Sequence, residues 1–282
     1  MIPKNPMQLK SIIKKIAAEN HVSSQLIMQN YMMERLLERI SLSNYSSNFI
    51  LKGGFLIASM VGLNNRATMD IDTTINGINL THDSIRSIFD ELCNANIDDQ
   101  ISFSMLKLTD IRNTDDYPGI RISLEARYLS LRVPLSVDLT TGDIITPNEI
   151  EYSYKLIIDD RKINIRAYNL ETILAEKIET ILSRNIANTR VRDFYDVYIL
   201  SLLKLNECRF DVLRLALKET SIKRGSENTL SNYDEIINHI RSNERMNHSW
   251  INYQHDFGYA KNIGFDEICF ELLNLMNQIM NE

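Results

Sequence analysis

The sequence predicts an α/β half followed by a helical half. Up to Tyr168, short apolar or alternating runs suited to strands are interspersed with helical stretches, whereas from Asn169 onward the apolar residues recur only at helical spacing. The third observation is a strand, a glycine pair and a helix in succession at "NFILKGGFLIASMVG", followed by another strand at "RATMDIDTTI". The change of character places a domain boundary between residues 168 and 169, giving segments 1–168 and 169–282.

In chain order, "PMQLKSIIKKIAAEN" sets Leu9, Ile12, Ile13 and Ile16 on one stripe and reads as a helix, and "SSQLIMQNYMMERLLERI" reads as a second behind serine caps. "NFILK" suits a buried strand, Gly53-Gly54 a turn, and "FLIASMVG" a short helix ending at Gly62. After the strand "RATMDIDTTI", "THDSIRSIFDELCNAN" is a helix capped near Thr81. Strands are expected at "ISFSMLKL", "GIRISLEARY", "LRVPLSVDL", "YKLII" and "KINIRAY", the last two joined by the polar turn Asp159-Asp160-Arg161. The second half holds helices at "LETILAEKIETILSR", "RVRDFYDVYILSLLKL", "FDVLRLALKET", "LSNYDEIINHIRS" and "FDEICFELLNLMNQIM". The aromatic stretch "NHSWINYQHDFGY" could pack on the core, stack on RNA or meet a protein partner, with core packing the default.

Acidic side chains outnumber basic ones by 37 to 31, a net charge of −6 that disfavours a broad, sequence-blind nucleic-acid surface. A local basic patch beside an acidic site would be hidden in that total. Cys93, Cys208 and Cys269 stand far apart without a CxxC or Cys/His pairing, which argues against a disulfide framework or a structural zinc site and for small core residues. Charges interrupt every apolar run well before about 18 residues, so no membrane span is expected. The N-terminus "MIPKNPMQLKSIIKK" lacks a signal-peptide pattern, and a cytoplasmic location is the resulting expectation.

Alternate side chains of a strand share a face, so Asp70 and Asp72 project the same way, about 7 Å apart, while Met69 and Ile71 face the core. In "LRVPLSVDLTTGD", Val133, Leu135, Val137 and Leu139 point one way and Ser136, Asp138 and Thr140 the other. Three acids on neighbouring strands could hold two hard cations, Mg²⁺ or Mn²⁺, which take oxygen ligands and neutralise charge on a transferring phosphoryl group. A lone DxD is also common on solvated sheet faces. The glycines add weight, because a strand, Gly-Gly turn and helix leave backbone N–H groups open to an anion such as a triphosphate. Read alone, the pair is an ordinary tight turn.

On "LETILAEKIETILSR", Leu170, Ile173, Leu174 and Ile181 define the apolar stripe, and Lys177 falls in its middle with Arg184 two turns on. An unpaired ammonium there is costly, so Lys177 is expected to meet an anion, either a carboxylate of the next helix or nucleotide phosphates. The alternative is a lysine snorkelling from the stripe's edge. In the next helix Asp193 and Asp196 share a face, and one of them is the natural partner. Arg184, Arg190 and Arg192 near these acids suit phosphate clamps or ordinary ion pairs.

With these residues assembled, the chain resembles the AbiEii/AbiGii toxin family of bacterial nucleotidyltransferases, a branch of the DNA-polymerase-β-like superfamily. The matching motifs are "LKGG" at Leu51, "RATMDID", "VDLTTGD" and "AEKIETILSR" followed by "RDFYDVY". The resemblance implies an α+β fold, a polymerase-β-like nucleotidyltransferase core of mixed sheet and helices followed by an α-helical C-terminal domain. It implies a catalytic metal on Asp70 and Asp72 with Asp138 as third acid, and Lys177 and Asp193 as a helical-domain pair that contacts nucleotide. Around the NTP it implies Lys52, Gly53, Gly54, Arg66, Thr68, Lys177 and Arg184. Two departures stand out: the superfamily signature has Gly-Ser where this chain has Gly53-Gly54, and the interval from Gly54 to Asp70 is longer than in the general pattern.

The same resemblance implies the toxin of a toxin–antitoxin or phage-defence system, paired with a separately encoded antitoxin. Its expected reaction is Mg-dependent transfer of a nucleoside monophosphate from an NTP to the tRNA 3′ end. The enzymatic alternative is transfer to a protein or a small molecule. The alternative of another class is a non-catalytic NTP-binding module that acts through protein contacts.

Overall fold

A computed structural model describes residues 3–111 and 119–281 of the chain. They fall into two compact units, Met1–Asp143 with Ile150–Ala167, and Ile144–Glu149 with Tyr168–Glu282.

The first unit runs α1 (Pro6–Glu19), α2 (Ser24–Leu42), β1 (Phe49–Lys52), α3 (Gly53–Val61), β2 (Ile71–Ile75) and α4 (His82–Asn94), then β3 (Ile101–Ile111), β4 (Gly119–Tyr128), β5 (Leu131–Thr140), β6 (Ile150–Lys155) and β7 (Lys162–Ala167). Side-chain caps start α1, α2 and α4: Asn5 accepts from the Gln8 amide ahead of α1, Ser23 from Leu26 ahead of α2, and Thr81 from Ser84 ahead of α4. The seven strands form one mixed sheet in the order β3-β4-β5-β2-β1-β7-β6. β1 is antiparallel to β2 and parallel to β7, and β2 is parallel to β5. In β5 the expected alternation holds: Val133, Leu135, Val137 and Leu139 are buried, while Ser136, Asp138 and Thr140 are only half-buried.

From Gln29 to Ile40, α2 is buried on every side, so its polar side chains need partners inside the unit. Arg39 forks onto Asp99 at 2.8 and 3.0 Å, donates to the Ile101 carbonyl at 2.6 Å and lies over the Phe103 ring. Glu34 accepts the Ile157 amide at 3.0 Å with both carboxylate oxygens, and Glu38 accepts from Arg161 at 2.6 Å. Asn30 donates to the Thr68 carbonyl at 2.9 Å. One helix thus anchors the start of β3, the connection after β6 and the loop before β2.

That anchoring accounts for two differences from the sequence pattern. β2 is shorter than "RATMDIDTTI" suggests, because Asn30 holds the backbone at Thr68 in a loop; Asp70 lies just ahead of the strand, and Met69 is 39% exposed instead of core-facing. β6 ends at Lys155 instead of spanning 154–158, since the Ile157 amide is taken by Glu34 and not by a ladder.

The second unit contains α5 (Leu170–Arg184), α6 (Val191–Lys204), α7 (Phe210–Lys223), α8 (Asn228–Ser231), α9 (Tyr233–Arg241), α10 (Glu244–Asp256) and α11 (Phe265–Asn281). Asn169 caps α5, accepting from Thr172 at 2.7 Å and donating to the Thr146 carbonyl at 2.7 Å, which binds the 144–149 segment to this unit. "LSNYDEIINHIRS" divides into α8 and α9. "NHSWINYQHDFGY" forms α10 and the turn after it, and packs: Trp250 is buried against Tyr195, Tyr253 and Phe265, and its indole donates to the Ile263 carbonyl at 2.8 Å. Cys269 is buried, Cys93 and Cys208 half-buried, and all three thiols are free. Among the described residues no helix is long and apolar enough to cross a membrane.

Burial pushes the Glu34 carboxyl up to about 8, against the downward pull of the Ile157 amide, Arg35 and Tyr154. The folded chain therefore binds this proton more tightly than the unfolded chain does. Its stabilisation is complete below the ordinary value of 4.5 and is lost as pH rises through about 8. Glu34→Gln is expected to flatten the fall of melting temperature between about pH 5 and about pH 8. Parallel melting-temperature profiles for the two proteins would contradict the assignment.

Candidate active site

Strand register builds a row of charges across the first unit's sheet. Lys52 of β1 lies opposite Asp72 of β2, Asp72 opposite Asp138 of β5, and Asp138 opposite Arg121 of β4. Register partners share a face at about 4.8 Å, so the row reads cation, acid, acid, cation. Arg121 clasps Asp138, Nε to Oδ1 at 2.7 Å and Nη2 to Oδ2 at 2.6 Å. The bond and charge of Asp138, followed by the charges of Asp70 and Asp72, raise the guanidinium above its ordinary value, so all three acids act on one side chain. Lys52 donates to Thr140 at 2.7 Å and Asp143 at 2.5 Å. Burial pushes the Asp143 carboxyl upward, but the charge and bond of Lys52 and the Thr74 and Thr140 hydroxyls outweigh it and hold it below its ordinary value.

The glycines belong to this cluster. Gly53 opens α3 at φ +68°, and a Cβ built on it would stand 2.3 Å from Asp72 Oδ2. Both the left-handed backbone and the carboxylate's approach demand glycine. At Gly54 a Cβ would lie 3.0 Å from Arg66 Nη2 and 3.2 Å from Thr68 Oγ1. Arg66 is buried and donates to the Ala67 carbonyl, while Asn30 holds the Thr68 backbone. The volume that a side chain at Gly54 would need is thus taken by Arg66 and by Thr68, whose hydroxyl stands beside Gly54.

In the second unit Lys177 Nζ lies 2.5 Å from Asp193 Oδ1 and 3.0 Å from Asp196 Oδ2, so both acids partner it. Asp196 is 0% exposed and Asp193 3%, against 18% for the lysine. Their charges are therefore balanced inside the helical packing and not by water. Arg184 is half-buried in the last turn of α5, while Arg190 and Arg192 are exposed.

Arg121, Asn30 and Asp143 are the site residues that the sequence pattern did not single out. Arg121 looked like any outward residue of an alternating strand; its meaning comes from register with β5.

For a divalent cation, the carboxylates on register-paired Asp72 and Asp138, with Asp70 ahead of the same strand, are the oxygen donors that a hard ion takes. Among the described residues no three His, Cys, Asp or Glu side chains converge as a ligand group, and the Asp138 carboxylate faces Arg121. The donor set fits such an ion in chemistry and strand placement, with Asp138 bonded to that guanidinium.

A family model described as the nucleotidyl transferase AbiEii toxin of type IV toxin–antitoxin systems matches residues 35–268. The chain belongs to the AbiEii nucleotidyltransferase toxin family. Two solved structures share the fold of this AbiEii chain. JHP933 from Helicobacter pylori is 13% identical with a TM-score of 0.54, covering 92% of this chain and 93% of its own. MenT4, a nucleotidyltransferase toxin from Mycobacterium tuberculosis, is 11% identical with a TM-score of 0.54, covering 96% and 98%. No curated protein matches the chain. The AbiEii chain is thus a nucleotidyltransferase whose mixed seven-stranded sheet with helices is accompanied by a C-terminal helical region.

Two stability predictions follow from the contacts. Gly53→Ala combines a left-handed backbone cost of about 1–2 kcal/mol with a collision against Asp72 at 2.3 Å, and is expected to lower the melting temperature more than Gly54→Ala, whose nearest neighbour stands at 3.0 Å and whose backbone is not left-handed. Equal effects in thermal denaturation would contradict this ranking. Lys177→Met leaves two buried carboxylates facing each other and is expected to cost about 3–5 kcal/mol in urea denaturation. Adding Asp193→Asn to Lys177→Met is expected to recover part of that loss.

Proposed function

We propose that this AbiEii-family enzyme transfers a nucleoside monophosphate from an NTP to the 3′ end of tRNA, releasing pyrophosphate, and that it acts in the cytoplasm as a toxin of phage defence restrained by a separately encoded antitoxin. The observation that carries the catalytic part is the approach of Gly53 to Asp72, which sets an anion-binding helix N-terminus against an acid paired in register with Asp138. The tRNA acceptor, the antitoxin and the defence role rest on the family resemblance.

In this reading residues 1–168 form the nucleotidyltransferase domain and 169–282 the helical domain. Asp70, Asp72 and Asp138 would hold Mg²⁺ or Mn²⁺. When bound, the metal would lower the pKa of the attacking hydroxyl and offset triphosphate charge. The Gly53 and Gly54 amides at the start of α3 donate to a phosphate oxygen, and the Thr68 hydroxyl beside Gly54 donates to the same phosphate. Lys52 and Arg66 add positive potential behind them. Lys177, held by Asp193 and Asp196, offsets the charge that develops on the phosphates, with Arg184 in a supporting role.

The test is transfer of label from each α-labelled NTP to purified tRNA, total protein and small acceptors, with and without chelator. Asp72→Asn is expected to cut transfer about a hundredfold or more, the scale of several kcal/mol of lost charge stabilisation. Undiminished transfer by Asp72→Asn, or indifference to the chelator, would remove the metal from the mechanism. Label in protein instead of RNA would move the acceptor.

A further inference from the structure

Two arginines in the first unit make the same forked contact with an aspartate, and their surroundings differ. Arg39 and Asp99 are 1% and 3% exposed, and Arg39 also serves the Ile101 carbonyl; that fork is sealed in the core. Arg121 and Asp138 are 53% and 16% exposed, and the guanidinium stands at the solvent side of the sheet face that carries the acids. An exposed fork costs little to open, because water replaces each lost hydrogen bond. A buried one does not open without leaving a charge unpaired.

We propose that Arg121 is a built-in competitor for the metal site, a guanidinium that holds Asp138 and is displaced when a divalent cation binds. The inference rests on the reading of Asp70, Asp72 and Asp138 as metal ligands. Arg121 engages both Asp138 oxygens, the atoms that a hard cation would take. A cation about 2.1 Å from either oxygen would stand within about 5 Å of the guanidinium, where like charges repel. Asp138 is in register with Asp72 on the neighbouring strand, so Arg121 engages the outer member of the acidic row. Asp138 is consequently the last ligand recruited, and Arg121 sets the metal concentration at which the site completes. Arg121 tunes the affinity for the cation and touches no reacting atom in this assignment.

The experiment is Mn²⁺ titration of the full-length chain without nucleotide, by calorimetry and by the Mn²⁺-induced rise in melting temperature. Arg121→Ala is expected to bind Mn²⁺ at least about fivefold more tightly than the natural chain, the low end of coupling between linked equilibria. Its melting temperature is expected to rise further at saturating Mn²⁺. Arg121→Lys, which keeps the charge and loses the fork, is expected to fall between the two and guards against a folding defect in the alanine variant. In an Asp138→Asn background the Arg121→Ala gain is expected to vanish. Unchanged or weaker Mn²⁺ binding by Arg121→Ala, no measurable binding by either protein, or a gain that persists without Asp138 would overturn the proposal. Asp72→Asn separates the two levels. If Asp72→Asn binds Mn²⁺ as the natural chain does, the metal-site reading itself fails. If Asp72→Asn weakens binding while Arg121→Ala leaves it unchanged, only the competitor role fails.

Discussion

The first unit is organised around keeping two carboxylates side by side. Asp72 and Asp138 occupy register-paired positions on adjacent parallel strands, where like charges one strand apart repel. The sheet bears this because Arg121 sits one strand further out, because Lys52 stands on the other flank, and because Gly53 lets the backbone of α3 come against the Asp72 carboxylate. A side chain at Gly53 would occupy the space of that carboxylate. The turn's conformation and the acid's position are therefore one constraint.

The scaffold behind this arrangement is α2, which carries its polar residues into the interior and spends each on a different segment. Asn30 takes the loop bearing Arg66 and Thr68, Glu34 and Glu38 take the connection between β6 and β7, and Arg39 takes the start of β3. Buried polar contacts of this kind tolerate few alternative geometries, because a missed partner leaves a desolvated group. The helical unit uses the same economy around Lys177, whose ammonium is shared by two carboxylates that have almost no access to water.

Much of this was legible in the chain. The β5 alternation placed Asp138 on the face opposite the core residues, and the lysine in an apolar helical stripe announced a buried anion. Gly-Gly between strand and helix marked the start of α3. Other features were not legible. Asp70 was expected on the strand with Met69 inward, yet the strand begins at Ile71 and Met69 is at the surface, because an asparagine 38 residues earlier holds the loop. The choice between Asp193 and Asp196 had no local answer, and the structure uses both. In the aromatic stretch after Asn247, Trp250 and Tyr253 are buried, because both rings pack on Tyr195 of another helix.

The sequence by itself determined the local events: where helices begin, which face of each strand is apolar, where glycine is required, and which polar residues stand in apolar company. Periodicity, capping and turn chemistry act over a few residues, so they can be read directly from the chain. Only the tertiary structure decided the partners: Arg121 for Asp138, Asn30 for the Thr68 loop, Asp72 for Gly53. Strand register and helix docking set these pairings across dozens of residues, through the burial of whole faces, and no short stretch of sequence carries that information.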